Sequence, residues 1–228
     1  FFNIIMRKLS FLLIILSFTI SNAQLKTIIG KTAYPFWVNV PKVEDKTEKL
    51  PILVFLHGKS LSGTDINKVK RYGVIKAIEK GRKIKAIVVA PQLASGPWNA
   101  DKILELIEYI QKEYTTDKSR VYVCGMSLGG YGTLEIAGKH PDKITAAVAI
   151  CGGGNEKDAC NLAKLPLWIQ HGDNDKAVPI SESQKIVKAI KKCDKNADVT
   201  FTTIPGGTHG SVESLFHTDA LYNWLFEH

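Results

Sequence analysis

The sequence lacks several features that would define other classes of protein. Its most apolar stretch, Leu9 to Ile20, is 12 residues long, whereas a membrane-spanning helix needs about 20. The formal charge is +8, but the lysines lie among acids, as at 42–46, and form no basic stripe with interleaved aromatic residues. We therefore expect no stable membrane anchor and no nucleic-acid partner.

Metal-site spacing and internal repeats are also absent from the sequence. None of the four cysteines forms a Cys-x-x-Cys pair or a Cys/His cluster with the spacing of a zinc site, so we expect no metal. No repeat, linker or low-complexity tract follows residue 23. A composition of 45% apolar and 23% charged residues is typical of a globular chain. Residues 24–228 are therefore predicted to form one domain.

The first 23 residues have the pattern of a secretory signal. A basic start, Met6 to Lys8, precedes the apolar run, and Ser21-Asn22-Ala23 ends it on short residues. We expect cleavage after Ala23, with Phe1 to Ile5 as upstream translated sequence, and a secreted or periplasmic location. Removing residues 1–23 takes away two bases and no acid, which leaves 205 residues with a charge of +6.

The cysteines divide into two kinds. Cys124 and Cys151 lie within or at the end of apolar strand patterns, so both are expected to be small buried side chains. Cys160 and Cys193 lie in polar stretches of a chain that is expected to be exported. These two could form a disulfide, but the sequence alone does not determine the pairing.

Short apolar runs alternate with helical patterns along the whole domain. The runs from Ile52 onward are apolar without alternation, which is typical of strands covered by helices on both faces. This pattern predicts an α/β fold: a three-layer α/β/α sandwich around a mostly parallel sheet. Asp101 and Ser181 are predicted to cap helices that follow them, and one closing helix is predicted over 212–226.

The strongest chemical signal is the segment Gly125-Met126-Ser127-Leu128-Gly129. It lies between a predicted strand and a predicted helix, where a sharp turn would expose the hydroxyl of Ser127. Glycines are needed on either side because side chains would collide as the turn tightens. Ser127 is therefore the candidate nucleophile.

A serine nucleophile needs a base, and His209 is the candidate. It lies in a glycine-rich loop between the last strand and the closing helix. His57 and His171 each follow a strand directly and precede glycine, so we expect them to shape turns by hydrogen bonding. The base in turn needs a carboxylate, for which Asp175 is preferred over Asp173, the expected turn-former.

An oxyanion hole completes such a site. The amide of Leu128, which follows the nucleophile, is one expected donor, and the amide of Lys59, after the strand Ile52 to Leu56, is the other. The Lys59 side chain could attract an anionic substrate or point into solvent, and solvent is preferred. Trp98 follows another strand end and is a candidate for stacking on substrate, with covering the next helix as the equal alternative. Tyr131 is expected to pack.

These segments together resemble the α/β-hydrolase superfamily. More narrowly, they are similar to small secreted esterases of the carboxylesterase, feruloyl-esterase and polyhydroxybutyrate-depolymerase type, often grouped with prolyl-oligopeptidase-like sequences. The matching pieces span Lys26 to Phe226; they are Phe55 to Gly58, Ala90 to Gln92, Arg120 to Gly132, His171 to Asp175 with Val178-Pro179, and His209. The resemblance implies the fold and a Ser-His-Asp site, and is only weakly specific for substrate.

The sequence departs from the resembled family at two points. Lys59 stands where a small residue is common, and only the short polar stretch Cys151 to Leu165 occupies the place of a lid. The expected function is a secreted serine ester hydrolase that needs no cofactor, acting on small-molecule or polysaccharide-linked acyl or feruloyl esters. A serine peptidase acting on small peptides and a non-catalytic binding protein are the alternatives.

Overall fold

The computed structural model describes residues 24–45 and 47–228, so the predicted signal segment lies outside the described residues. The fold is an eight-stranded, mostly parallel sheet with helices on both faces, as the sequence predicts. The strands are β1 (Gln24–Ile28), β2 (Phe36–Val40), β3 (Leu50–Leu56), β4 (Ile87–Pro91), β5 (Thr116–Met126), β6 (Ala146–Ile150), β7 (Leu167–Gly172) and β8 (Val199–Ile204).

The sheet has the order β1-β2-β4-β3-β5-β6-β7-β8. The first two strands pair as an antiparallel hairpin, and β2 pairs antiparallel with β4. All pairs from β4 through β8 are parallel. Their carboxyl ends therefore lie along one edge of the sheet, which is where ligands bind in folds of this kind.

The helices are α1 (Gly73–Glu79), α2 (Ala100–Glu113), α3 (Leu128–Lys139), α4 (Ala159–Leu162), α5 (Ser181–Cys193) and α6 (Asp219–Glu227). Short 3₁₀ turns cover Lys59–Leu61, Ile66–Arg71, Pro141–Lys143, Glu156–Asp158 and Ser211–His217. Among the described residues, none of these helices has both the length and the apolar composition that a bilayer crossing requires.

Two apolar cores lie on the two faces of the sheet. In β3, Ile52 and Val54 contribute to the core beneath α2, α3, α4 and α5, while Leu53 and Phe55 contribute to the core beneath α1 and α6. Alternate residues of a strand point to opposite faces. The lack of polar alternation in these strands follows from this, because both faces are buried.

Two predictions about helix caps are wrong. The side chain that caps α2 belongs to Asn99, which accepts from the Lys102 amide at 3.0 Å, while Asp101 bonds the imidazole of His140 at 2.8 Å. Ser181 is the first residue of α5 and makes no capping bond, because its backbone is already helical.

The predicted closing helix is divided into two parts. Residues 211–217 form a 3₁₀ turn, and α6 begins only at Asp219. Thr218 between them has an extended backbone, and its hydroxyl donates to the carbonyl of Leu215 at 2.8 Å. This local hydrogen bond ends the first segment before a continuous α-helix can form.

Cys160 and Cys193 form a disulfide, which decides the pairing that the sequence left open. It joins α4 to the last residue of α5. Cys124 and Cys151 are free and buried, as predicted.

Candidate active site

Ser127 occupies the sharp turn between β5 and α3. Its backbone has φ +59°, a left-handed conformation that is unusual for a residue with a side chain. The two flanking glycines explain how the turn fits. A Cβ on Gly129 would lie 1.8 Å from the carbonyl oxygen of Leu56, and a Cβ on Gly125 would lie 2.3 Å from that of Gly129. Only glycine permits this close approach.

The structure brings the three predicted residues of the site together. His209 Nε2 lies 2.9 Å from Ser127 Oγ, and His209 Nδ1 lies 2.7 Å from Asp175 Oδ2. Because a carboxylate can only accept a hydrogen bond, Nδ1 carries the proton. In the neutral ring, Nε2 is therefore free to accept the proton of the Ser127 hydroxyl.

Asp175 is held as a carboxylate by its hydrogen bonds. Its Oδ1 accepts from the amides of Ala177 at 2.8 Å and Val178 at 2.9 Å. Burial acts to raise the pKa of this carboxyl, but the two amides, His209 and the buried Cys151 thiol outweigh it. The pKa therefore lies below its ordinary value.

The alternative acid has a different position. Asp173 is exposed and accepts from the amide of Gly206 at 2.7 Å. It therefore shapes the turn, as expected, but through the loop that carries His209 rather than through its own backbone. The geometry favours Asp175 as the partner of the imidazole.

His57 and His171 are buried and hydrogen bonded, in agreement with their predicted structural role. His57 donates from Nδ1 to the carbonyl of Gly58 at 2.8 Å and accepts from the amide of Leu93 at 3.0 Å. Burial lowers the pKa of His57 to about 4, so the ring is neutral. It links the loop after β3 to the loop after β4.

His171 contacts the turn that carries Asp175. Its Nδ1 is 2.7 Å from Ser183 Oγ, and its Nε2 is 3.0 Å from the carbonyl of Val178 and 3.5 Å from Asp175 Oδ2. The ring therefore fixes the same turn whose amides bind Asp175.

The two predicted oxyanion donors border the same cleft as Ser127. Leu128 is the first residue of α3, and Lys59 is the first residue of a 3₁₀ turn, so neither amide has a partner within its own helix. In the described part of the chain, no other acceptor takes either amide. The Lys59 side chain is exposed, which agrees with the preferred prediction that it points into solvent.

Trp98 does not line the cleft, and the structure contradicts its predicted contact with substrate. The side chain is 4% exposed, and its indole N–H donates to the carbonyl of His57 at 3.1 Å. Its ring packs against Gly132 of α3, where a Cβ would lie 2.6 Å away. Trp98 is therefore a packing residue, but these contacts are with α3 and His57, whereas the alternative expected it to cover the helix that follows it.

Other side chains that the sequence did not single out border the cleft, whose volume is about 590 Å³. Tyr72 and Glu213 contribute to it, and so does Tyr131, which was expected only to pack. The spacing of Tyr131, one helical turn after Ser127, is the one signal that could have placed it there. Tyr72 precedes a helix on another segment and carries no such signal.

Comparison with known proteins identifies a family. The model of the dienelactone hydrolase family matches residues 76–217. The bifunctional acetylxylan esterase/xylanase XynS20E of Neocallimastix patriciarum is 29% identical over 54% of this chain and 17% of that protein. Dipeptidyl aminopeptidase BIII of Pseudoxanthomonas mexicana is 27% identical over 51% of this chain and 23% of that protein.

A solved structure is similar over most of the chain. The crystal structure of a thermostable esterase has a TM-score of 0.78 and 27% identity, and the match covers 90% of this chain and 62% of that one. The chain thus spans less than a quarter of the two curated relatives and less than two thirds of the solved esterase.

The buried His57 predicts a specific loss of stability in acid. The unfolded ring takes up a proton near pH 6.5, but the folded ring does so only near pH 4. The contribution of the neutral His57 ring to the free energy of unfolding is therefore fully present above pH 6.5 and is lost as the pH falls toward 4. Denaturant unfolding measures the free energy of unfolding at pH 7 and at pH 4.5. Between these pH values, we expect it to decrease by about 2 kcal/mol less in His57→Gln than in the native chain. An equal loss in both would contradict this, and His228→Gln, at an exposed position, is the control.

Proposed function

This chain belongs to the dienelactone hydrolase family, and we propose that it is a serine-dependent carboxylic-ester hydrolase acting through Ser127, His209 and Asp175. The observation that carries the proposal is the continuous pair of hydrogen bonds, 2.9 Å and 2.7 Å long, that joins these side chains. A hydroxyl, an imidazole and a carboxylate in this order form an activated nucleophile.

Acylation uses the imidazole first as a base and then as an acid. His209 Nε2 takes the proton of Ser127 while the serine oxygen attacks the carbonyl carbon of the ester. The carbonyl oxygen becomes an oxyanion and accepts hydrogen bonds from the Leu128 and Lys59 amides. The intermediate then collapses, and the alcohol leaves with the proton from His209.

Deacylation repeats these steps with water. His209 takes a proton from the water as it attacks the acyl-serine, and returns the proton to Ser127 as the acid is released. The Asp175 carboxylate stabilises the imidazolium in both halves of the reaction. Its lowered pKa keeps it charged at neutral pH.

The proposed substrates are acyl or feruloyl esters, either small or attached to polysaccharide. The acetylxylan esterase relative supports this class, as does the open cleft beside Ser127. The stretch 151–165, which connects β6 to β7, contains only the 3₁₀ turn Glu156–Asp158 and the short helix α4. The domain therefore carries no large cover at that point, and a bulky polymer can approach the nucleophile.

We propose that the mature protein works outside the cytoplasm after cleavage behind Ala23. The basic and apolar pattern of residues 6–23 supports export. The Cys160–Cys193 disulfide also supports an oxidising compartment. The intact mass of the exported chain tests the cleavage point.

Replacing the nucleophile tests the mechanism. Ser127→Ala should reduce turnover of a p-nitrophenyl ester by at least about 10⁴-fold, because Ser127 is the one hydroxyl among residues 24–45 and 47–228 that is hydrogen bonded to His209 Nε2. A fluorophosphonate should label the native chain once, at Ser127, and should not label the variant. Ser214→Ala, which removes an exposed hydroxyl elsewhere, is the matched control. A Ser127→Ala variant that keeps most of its turnover would refute the proposal, and an unlabelled native chain would favour a binding protein.

The alternative is a serine peptidase, which the dipeptidyl aminopeptidase relative favours. Matched acetyl, butyryl, feruloyl and long-chain esters, together with a peptide anilide, should separate the two activities. We expect kcat/KM for the best ester to exceed that for the anilide by about 10³-fold or more, a difference of about 4 kcal/mol in transition-state stabilisation. Preference for the anilide would instead establish the peptidase.

The oxyanion donor at Lys59 can be removed without removing the loop. Gly58 has φ −78° and ψ 171°, a conformation that is favoured before proline, and proline is favoured at the first residue of a helix. Relative to Lys59→Ala, Lys59→Pro replaces the amide hydrogen with the Cδ of the pyrrolidine ring. We expect kcat to be about 10²- to 10³-fold lower in the proline variant. Equal kcat values for these two variants would assign the second donor elsewhere.

A further inference from the structure

The hydroxyl of Tyr72 lies beside Gly58, the residue before the proposed oxyanion donor Lys59. Its oxygen accepts from the amide of Gly58 at 2.9 Å. Tyr72 also borders the cleft, together with Ser127. The Tyr72 hydroxyl takes no part in the acylation and deacylation steps proposed for Ser127 and His209.

The hydrogen of the Tyr72 hydroxyl is available for another partner. In the described residues, the only further polar contact of the phenol oxygen is Ser60 Oγ at 3.3 Å. That separation is long for an O–H···O bond, which is usually near 2.7–2.8 Å. A bond accepted from Gly58 also polarises the phenol and makes it a better donor. A strong acceptor in the cleft would therefore compete well for this hydrogen.

Gly58 shows how near the phenol is to the nucleophile. A Cβ built on Gly58 would lie 2.8 Å from the Tyr72 oxygen and 3.2 Å from Ser127 Cβ. Both groups thus border the same small space, which the absent side chain leaves open. The oxygen of a tetrahedral adduct on Ser127 would form next to this space.

The backbone that carries Tyr72 is fixed from two sides. Gly73 has φ +76°, and its amide donates to Glu213 Oε1 at 2.9 Å. The ring of Phe55 lies against Gly73 so closely that a Cβ would be 2.1 Å from it. A donor held in this way needs little reorganisation when charge develops.

The phenol also keeps its proton at ordinary pH. Burial raises the pKa of Tyr72, and the nearby Glu213 carboxylate contributes in the same direction. The side chain therefore remains a hydrogen-bond donor over the range in which a neutral imidazole works.

We propose that the Tyr72 hydroxyl donates a hydrogen bond to the oxyanion formed on Ser127, as a third donor beside the Leu128 and Lys59 amides. This inference rests on the proposed function. It assigns Tyr72 a catalytic role, because the phenol would contact the reacting oxygen. This contact would form together with the negative charge on that oxygen.

Tyr72→Phe is the first test. We expect kcat for a p-nitrophenyl ester to fall about 10- to 100-fold with KM changed less than about threefold, since the lost bond exists mainly in the transition state. Tyr34→Phe is the matched control, because its hydroxyl also accepts a backbone amide, that of Asn99 at 3.2 Å, away from the cleft. If kcat in Tyr72→Phe stays within twofold of the native value, the inference is wrong.

A second variant separates donation from support of Gly58. Replacing Tyr72 with 3,5-difluorotyrosine keeps the ring and lowers the phenol pKa. A phenolate still accepts from the Gly58 amide but cannot donate to an oxyanion. We expect the alkaline fall of kcat to move to lower pH in this variant, and an unchanged profile would overturn the inference. Stoichiometric fluorophosphonate labelling of Ser127 in each variant shows that the esterase proposal itself still stands.

Discussion

The site depends on how closely the start of α3 approaches the end of β3. Gly129 lies against the carbonyl of Leu56, and no side chain would fit between them. This approach forces Ser127 into its left-handed conformation. Serine at the start of a helix commonly bonds an amide of the first turn, but Ser127 makes no such bond and its hydroxyl meets His209 instead. The amide of Leu128 lies beside the nucleophile and has no acceptor within α3, because it is the first residue of that helix.

The acid is supported by a second group of buried polar contacts. Ser183 Oγ donates to the carbonyl of Gly152 at 2.7 Å and also contacts His171. These bonds tie α5, the loop after β6 and the turn after β7 together. Cys151, with φ +48°, brings its thiol against Asp175 from the same loop. The carboxylate therefore has its orientation determined by three separate segments of the chain.

The residues of this site differ in how far the sequence could predict them. Ser127, Asp175 and His209 could be assigned because each follows the carboxyl end of a parallel strand, and those ends share one edge. The same reasoning was wrong for Trp98, because a position after a strand does not determine the direction of the side chain. The close approach of Gly132 turns that indole inward.

Tyr72 was missed since its place depends on a contact between Gly73 and Glu213, 140 residues apart. Helix ends such as Asn99 and Thr218 were misjudged because neighbouring polar residues compete for the same backbone groups.

The bond between Gly73 and Glu213 has a consequence for how this domain could diversify. It fastens the segment before α1 to the segment after His209, and both border the cleft. Separating them would leave the buried amide of Gly73 without its acceptor, which is costly. The width of the groove is thus a property of the scaffold rather than of a hinge. Exchange of individual wall side chains, such as Tyr131 or Met126, would therefore change the shape of the cleft while the spacing between its walls stays the same.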